Sequence, residues 1–291
     1  MDAVPSLTPG ARAAFSEATM RSTLRSTLRS TPRSPSTLLA AIAALALAAC
    51  GESYDDPSAP ALPQPTAVIT ASGNLAAAML ELRATLGEPS NGGTAGQQPA
   101  GRREISWDGA AAIPFNNRND FPSDFFNTTV KSGAVFSTPG TGFRNDSLRF
   151  TEVDATYADE FSFFSATRVF APIGSSEMDV RFRVAGEQTA ATVRGFGVVF
   201  SDVDAVGSAR IELFDRADRR LLTVTAPVRS DVSGLSIAAA LFADPIIARV
   251  RITSGTGPVG AGVKDVSAGG SRDLVVMDNF VYGEPIAVPN P

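Results

Sequence analysis

The sequence has no histidine and only one cysteine among its 291 residues. Without histidine the chain cannot form a Ser-His-Asp or Cys-His catalytic site, a histidine-ligated zinc or iron centre, or an imidazole pH switch. A lone cysteine likewise excludes an internal disulfide, a Cys-x-x-Cys redox pair and a thiolate metal cage. Because 30 acidic residues outnumber 25 basic ones, we expect no binding to nucleic acid.

The N-terminal region has the features of a secretory signal peptide. Residues 38–49 form an uninterrupted apolar run, LLAAIAALALAA, which follows a repeat with an arginine at every fourth position. A helix of this length rises about 18 Å, too little to cross a hydrocarbon core of about 30 Å. A basic region followed by a short apolar stretch is typical of signal peptides. We predict that residues 1–49 form one, with Met20 as an alternative start.

The single cysteine ends this apolar run. The segment Leu47-Ala48-Ala49-Cys50 resembles the lipobox of bacterial lipoproteins. In that family the signal peptidase cleaves before the cysteine, whose thiol carries diacylglycerol, so the resemblance implies that Cys50 is a lipid anchor. Gly51 stands where enterobacterial lipoproteins retained at the inner membrane have aspartate. The resemblance therefore implies the outer membrane and leaves the periplasmic or surface face open.

Removal of the leader would make the chain more acidic. The leader contains five arginines and two acidic residues, which leaves 20 basic and 28 acidic residues in 50–291, a net charge of −8. Anionic lipid surfaces repel such a chain. We therefore expect acyl chains, rather than basic side chains, to provide the membrane contact.

Residues 50–100 are predicted to be a disordered, lipidated tether with one short helix. The first part, SYDDPSAPALPQPT, is rich in proline, serine and acid and has no apolar cluster to offset the entropy cost of ordering. Residues 74–86 predict a helix, because their apolar side chains recur with helical spacing. Those side chains are Leu75, Met79, Leu82 and Leu86. We expect this helix to cap one end of the next domain or, alternatively, to bind a partner.

Aromatic residues mark one large domain at residues 101–285, which a short tail, residues 286–291, follows. Seventeen of the 18 phenylalanines and the only tryptophan lie in this domain, and large aromatic side chains dominate core burial. A domain of this size can bury a substantial core without disulfides or metal.

Within the domain, apolar residues recur at every second position, which is typical of β-strands. Residues 177–184, EMDVRFRV, alternate between apolar and charged, and residues 193–201, VRGFGVVFS, fit a central strand that is covered on both faces. Further strands are predicted at 209–215, 221–226, 246–253 and 274–282, and weaker ones at 134–137, 148–150, 160–165 and 168–171. The pattern predicts an all-β fold, an antiparallel β-sandwich or jelly roll.

Four segments of this domain resemble a set of secreted bacterial proteins of uncharacterised activity. The segments are GRREISWDG (101–109), DFFNTTVKSGAVFSTPGTGF (124–143), GFGVVFSDVD (195–204) and VVMDNFVYGEP (275–285). Those proteins are similar in outline to galactose-binding-like and carbohydrate-binding jelly rolls. The resemblance implies an exported sandwich and, by analogy of fold alone, carbohydrate binding.

Two aspartates at the end of a predicted strand form a candidate metal site. Asp202 and Asp204 are two residues apart, and on an extended chain this spacing places both carboxylates on one face. Hard cations such as Ca²⁺ take several oxygen ligands from such groups. Asp278 and Asn279 would add oxygens if the last strand is adjacent. The alternative is a solvated acidic loop that keeps a sheet edge unpaired.

Trp107 and Asp108 form a candidate ligand-binding site near the start of the domain. An exposed tryptophan would stack on sugars, whereas a buried one would belong to the core with its N–H bound to a carbonyl. Glu104 and Asp108 could also be imagined as a glycosidase pair, although nothing in the sequence sets the distance between them.

Five arginines on predicted outward positions could hold an acidic polysaccharide. They are Arg181, Arg183, Arg194, Arg249 and Arg251. Because the domain is acidic, we expect them instead to pair with carboxylates across neighbouring strands.

These observations predict a lipid-anchored outer-membrane protein whose β-sandwich is a non-catalytic binding module, with a glycan ligand and Ca²⁺ assistance. One alternative is a polysaccharide-acting enzyme with a carboxylate-based site. Another is a structural envelope protein that binds a protein partner. The absence of histidine counts against catalysis.

Overall fold

The computed structural model describes residues 61–229 and 234–288. The predicted leader and the predicted lipidation site Cys50 lie outside the described residues. The strands are β1 (Ala67–Ser72), β2 (Arg102–Ile105), β3 (Ala134–Ser137), β4 (Gly142–Asp146), β5 (Val169–Ile173), β6 (Glu177–Phe182), β7 (Ala191–Thr192), β8 (Gly195–Ser201), β9 (Ala209–Phe214), β10 (Arg220–Thr225), β11 (Leu235–Leu241), β12 (Arg249–Ser254), β13 (Val276–Gly283) and β14 (Ile286–Ala287). The helices are α1 (Ala76–Leu86) and α2 (Phe125–Thr128), with 3₁₀ turns at Ala110–Phe115 and Ala155–Asp159.

Two antiparallel sheets pack face to face, so the predicted all-β sandwich is confirmed. One sheet has the strand order β1-β11-β8-β13-β5-β4, with β2 also paired to β13, and the other has the order β10-β9-β12-β6-β3. Alternate side chains of both sheets fill the space between them, among them Phe196, Phe280 and Val250. Strand β6 keeps the predicted alternation, since Met178, Val180 and Phe182 are buried.

The seven-stranded sheet is covered on its outer face as well. All seven residues of β8 are buried, as the continuous apolar run predicts. Helix α1 packs on this outer face with its predicted apolar side, which consists of Leu75, Met79, Leu82 and Leu86. The predicted helix is therefore confirmed, but it covers a sheet face instead of capping one end of the sandwich.

The rest of this outer face is covered by two long connections. The β4–β5 connection contributes Phe150, Tyr157 and Phe161, which pack against residues of β5 and β13. The β12–β13 connection contributes Val259, and its Gly260 carbonyl oxygen lies 2.8 Å from the Tyr157 hydroxyl. The two connections therefore form one layer, and the candidate site lies where this layer meets the strand ends.

Several predicted boundaries are wrong. Strand β1 pairs along its whole length with β11, so the folded unit begins before residue 101 and the predicted tether is partly a strand. Part of the predicted tail is β14, which pairs with β7. The predicted strands at 148–150 and 160–165 are irregular. None of the helices in the described residues is long and apolar enough to cross a membrane.

Candidate cation site

Five acidic side chains gather where β8 ends and β13 begins. Ser201 of β8 pairs with Val276 of β13, so the chain leaving β8 and the chain entering β13 lie at the same edge of the sheet. The β4–β5 connection reaches this edge too, because its Glu160 accepts a hydrogen bond from Ser267 at 2.5 Å. We call the five residues the acidic cluster. They are Glu160, Asp202, Asp204, Asp265 and Asp273.

The acidic cluster consists of two overlapping groups of three carboxylates. One oxygen from each of Glu160, Asp202 and Asp265 lies within 4.8 Å of the other two, and the same holds for Asp204, Asp265 and Asp273. Asp265 is common to both groups. Four of the five side chains are buried, and Asp202 and Asp265 have no exposed surface at all. Asp204 is half-buried.

One guanidinium contacts this cluster. Arg229 Nη1 contacts Asp202 Oδ1, and Arg229 Nε lies 2.6 Å from Asp204 Oδ1. Burial raises the pKa of Asp202 to about 8, against the opposing effect of Arg229. Burial likewise raises the pKa of Asp204. Among the described residues, Arg229 is the one positively charged side chain in contact with the acidic cluster, and it lies in a region where water cannot solvate the carboxylates well.

A tight loop holds two of the carboxylates in place. Asp265 Oδ1 accepts from the Leu274 N–H at 2.7 Å and Asp265 Oδ2 from the Ser267 N–H at 2.6 Å. The Gly270 N–H donates to the Asp265 carbonyl at 2.6 Å, and a Cβ at Gly270 would lie only 1.9 Å from the Lys264 carbonyl oxygen. Glycine is therefore required for the turn that brings Asp265 and Asp273 together.

Two oxygens of the cluster lack a donor. Asp273 Oδ2 accepts from the Asp204 and Ala205 N–H groups at 3.2 and 2.7 Å. In the described part of the chain, neither Asp273 Oδ1 nor Asp202 Oδ2 has a hydrogen-bond partner. Buried carboxylate oxygens in this situation are costly. A hard cation would satisfy them, because Ca²⁺ binds carboxylate and carbonyl oxygens.

Asp202 and Asp204 are not in the extended conformation on which their predicted pairing as metal ligands depends. Strand β8 ends at Ser201, and Asp202 has a φ of 73°, in the left-handed region. Both carboxylates contact Arg229, but they belong to different groups of three in the acidic cluster. No local spacing connects them with Glu160, Asp265 and Asp273. Sequence reasoning missed these three because connections far apart in the chain bring them to the site.

Asp278 and Asn279 do not join the acidic cluster, so that part of the metal-site prediction is wrong. They lie where the register of β13 against β8 shifts between Met277 and Phe280, a bulge that redirects their side chains. The Asp278 carboxylate accepts from the N–H groups of Phe164 and Ser165 and from the Ser165 hydroxyl, at 2.7, 3.1 and 2.8 Å. Burial raises the pKa of Asp278 to about 6.

Asn279 is also used within the fold. Its Nδ2 donates to Glu104 Oε1 at 2.7 Å. Glu104 in turn pairs with Arg83 of α1, whose Nε lies 3.0 Å from Glu104 Oε2. These contacts connect α1, β2 and β13.

Trp107 belongs to the core, which contradicts its predicted role as an exposed platform for sugars. Only 1% of its surface is exposed, and its ring stacks on Phe170 with centroids 3.8 Å apart. Its Nε1 donates to the Asp278 carbonyl at 2.9 Å, as expected for a buried tryptophan. The alternative interpretation of Trp107 as a core residue is therefore confirmed.

Asp108 and Glu104 have separate partners. Asp108 Oδ1 accepts from the N–H and hydroxyl of Thr167 at 3.0 and 2.8 Å, and Oδ2 accepts from the Ala166 N–H at 3.2 Å. Asp108 therefore fixes the turn before β5. Glu104 binds Arg83 and Asn279 instead, so each of the two carboxylates is occupied by contacts within the fold.

Four of the five arginines that the sequence predicts to point outward fall into two pairs that differ in their partners. Arg249 binds Asp179 and Asp218, and Arg251 binds Asp179, so the predicted cross-strand pairing is confirmed for these two. Arg181 and Arg183 contact no carboxylate within the described residues, and for them the prediction is wrong. Arg194 is half-buried.

The chain matches no protein-family model, no curated protein and no solved structure.

Proposed function

We propose that the protein is a non-catalytic, lipid-anchored module of the bacterial outer membrane whose β-sandwich binds a divalent cation. The observation that carries this proposal is the fully buried Asp202 carboxylate, which has an oxygen without a donor and lies within 4.8 Å of Glu160 and Asp265. We choose Ca²⁺ over Mg²⁺ because Ca²⁺ accepts about six to eight oxygens in flexible geometry, whereas Mg²⁺ retains much of its water.

Burial of the acidic cluster favours an ion over a polysaccharide substrate. A carboxylate-based hydrolase needs its acids along a cleft that admits a sugar chain. Asp202 and Asp265 are fully buried, and Asp273 is 1% exposed. An ion without its water shell can lie between such groups, whereas a sugar ring cannot.

The proposed ion would connect three segments that are distant in the sequence. Glu160 belongs to the β4–β5 connection, Asp202 follows β8, and Asp265 and Asp273 belong to the β12–β13 connection. Binding to the folded state alone stabilises that state in proportion to the logarithm of ligand concentration. We therefore expect the ion to have a structural role, in which it fixes one end of the sandwich.

Thermal unfolding of the full chain with calcium and with a chelator tests this proposal. Calcium at about 100 times its Kd should raise the midpoint by about 5–10 °C. Asp202→Asn should abolish this shift. In chelator at pH 7 the same variant should unfold near the wild type, because a pKa of about 8 leaves the Asp202 side chain largely uncharged and asparagine has nearly the same shape.

Asp120→Asn is the matched control, since Asp120 is an exposed partner of Arg118. This variant should have unfolding curves close to those of the wild type, both with calcium and with chelator. If calcium does not shift the wild-type midpoint, the cation site is wrong. A shift that survives Asp202→Asn would place the ion elsewhere.

The proposed anchor is tested separately. Cells that express the full chain should incorporate a labelled fatty acid into it, and Cys50→Ser should abolish the label and cause the precursor to accumulate. Labelling that persists in the variant would exclude Cys50 as the attachment site. This result would not bear on the cation site.

A further inference from the structure

A concave groove of about 650 Å³ lies at one end of the outer face of the five-stranded sheet. Three arginines line it: Arg181 and Arg183, on or just after β6, and Arg216, in the turn between β9 and β10. Gln188 and Thr189 form part of the wall, and Val135 and Ala248 are among its apolar residues. The acidic cluster contributes no residue to this groove.

The three arginines have no acidic partner within the described residues. Arg183 Nη1 donates to the Gln188 carbonyl, and its charge is not neutralised there. Arg249 and Arg251, on the neighbouring strand, are paired with Asp179. The positive charge of this face is therefore concentrated in the groove.

The arrangement does not stabilise the sheet. Arg181 lies directly opposite Arg249 in the register of β6 and β12, and like charges in such positions are unfavourable. Arg249 is compensated by Asp179 and Asp218, but Arg181 is exposed and has no such contact in the described chain. An anionic ligand would supply the missing compensation.

We propose that this groove binds an acidic polysaccharide through the carboxylates of its uronic acid units. The proposal rests on the proposed function as a binding module and names its ligand class. Planar guanidinium groups bind carboxylates through two parallel hydrogen bonds. Gln188 and Thr189 offer polar groups to sugar hydroxyls, and the apolar residues can contact the C–H faces of the rings.

The structure favours an acidic glycan over a neutral one. Binding of neutral sugars commonly uses exposed aromatic rings, and Trp107 is buried. No aromatic side chain in the described ranges is classed as exposed. Charge and hydrogen bonding must therefore provide most of the affinity in this groove.

The groove also fits a polysaccharide better than a lipid surface. A bilayer engages protruding basic or apolar groups, whereas these arginines line a concavity. Anionic vesicles are therefore a comparison probe in the test.

Calorimetric titration of the full chain with oligogalacturonate tests the proposal. Fully methyl-esterified oligogalacturonate has the same backbone without the charge and should not bind. The triple variant Arg181→Gln, Arg183→Gln, Arg216→Gln should lose about tenfold or more in affinity. Wild-type binding should also weaken as salt rises from about 0.05 to 0.5 M.

A second triple variant controls for overall charge. Arg118→Gln, Arg220→Gln and Arg272→Gln remove exposed arginines outside the groove, and binding should persist. If both triple variants lose binding, the net charge of the protein, and not the groove, determines the affinity for oligogalacturonate. That result would overturn the proposed site. Binding to the esterified oligomer, or to phosphatidylglycerol vesicles but not to oligogalacturonate, would overturn the ligand class.

The calcium-induced shift of the unfolding midpoint separates the two proposals. The groove variant should keep that shift, which also shows that it folds. If oligogalacturonate fails to bind while the shift is present, the groove proposal is wrong and the cation site stands. If the polysaccharide binds and calcium has no effect, the cation site is wrong and the groove stands.

Discussion

The fully buried side chain of Arg103 donates six hydrogen bonds. Its Nε and Nη2 bind the two oxygens of Glu284, each at 2.7 Å, and the pair is almost fully buried. Its guanidinium also donates to four backbone carbonyls, three of them in the segment between α1 and β2. Those carbonyls belong to Gly92, Thr94, Gly96 and Lys131. One side chain therefore organises a loop that has little apolar content of its own.

Arg103→Lys should destabilise the fold by about 3 kcal/mol, because an ammonium group cannot form the planar fork and leaves buried carbonyls unpaired. Urea unfolding measures this loss. The substitution should also speed up amide hydrogen exchange in residues 88–100 relative to the wild type, and it should change exchange in β8 much less. Arg118→Lys, at an exposed ion pair, should change stability by less than about 0.5 kcal/mol. Equal effects of the two substitutions would contradict the role of Arg103.

Asp278 is a buried carboxyl whose titration should be visible in stability. Its ordinary pKa is 3.8, and burial raises the pKa in the fold to about 6. The folded state therefore binds more protons than the unfolded state between these values. The stabilising contribution of this group is present below about pH 4 and is lost as pH rises through 6, by about 3 kcal/mol in all.

The pH dependence is best measured against Asp278→Asn, which cannot titrate. The free energy of unfolding of the wild type should fall relative to the variant between pH 4 and 7 and then run parallel to it. If the difference between the two is constant over this range, Asp278 does not titrate there. Both proteins should be measured in chelator, so that the acidic cluster makes the same contribution to the pH dependence of their unfolding free energies.

Glycines in β8 allow α1 to lie close to the sheet. A Cβ at Gly197 would be 2.6 Å from Leu82 Cδ2, and one at Gly195 would be 2.9 Å from Leu86 Cδ2. Helix α1 is short, and its stability depends on this packing. Glycine is therefore needed at positions 195 and 197 because a larger side chain would collide with leucines of α1.

Gly197→Ala should displace α1 and destabilise the protein by about 1–3 kcal/mol, as overpacking does in other cores. Chemical denaturation gives the magnitude. The double variant Gly197→Ala, Leu82→Ala should lose less stability than the sum of the two single variants, because the shorter side chain at position 82 leaves room for the new methyl group. If Gly197→Ala is neutral, the helix does not pack as closely as the structure shows.

The sequence predicted eight of the fourteen strands in the described residues, and two of the six missed strands, β1 and β11, show why. Strand β11 has the sequence LSIAAAL, whose alanines are poor indicators of a strand. Alanine is present there because Ala239 packs beneath α1. Strand β1 follows a proline-rich stretch and was assigned to the tether by composition. Both segments are strands because of their tertiary packing, which a local sequence pattern does not reveal.

At the scale of the molecule, the sheet order creates the acidic cluster. Asp202 was identifiable because it ends an apolar run, but Glu160 and Asp273 come from other connections. Their convergence depends on the pairing of Ser201 with Val276, and strand order could not be predicted from one sequence. The same limit explains the errors at Asp278 and Trp107, whose residue types suggested ligands but whose positions bury them.

The folded unit includes β1 and α1, which precede the domain boundary predicted from the sequence. Aromatic content places the start at residue 101, yet β1 pairs with β11, and α1 covers the outer face of the sheet. A chain that begins at residue 101 would expose this face and leave β11 as an unprotected edge. It would also lose four buried apolar side chains of α1 and the residue preceding it, worth about 6–12 kcal/mol together.

That loss is comparable to the whole stability of a typical domain, about 5–15 kcal/mol. We therefore expect a chain that begins at residue 101 to aggregate or to unfold without a cooperative transition, whereas one that begins at residue 61 unfolds cooperatively. Thermal unfolding followed by near-ultraviolet circular dichroism distinguishes them, because the signal of the buried Trp107 reports fixed core packing. Equal midpoints for the two chains would show that β1 and α1 are appendages, and calcium-binding or polysaccharide-binding experiments on the shorter chain would then be valid.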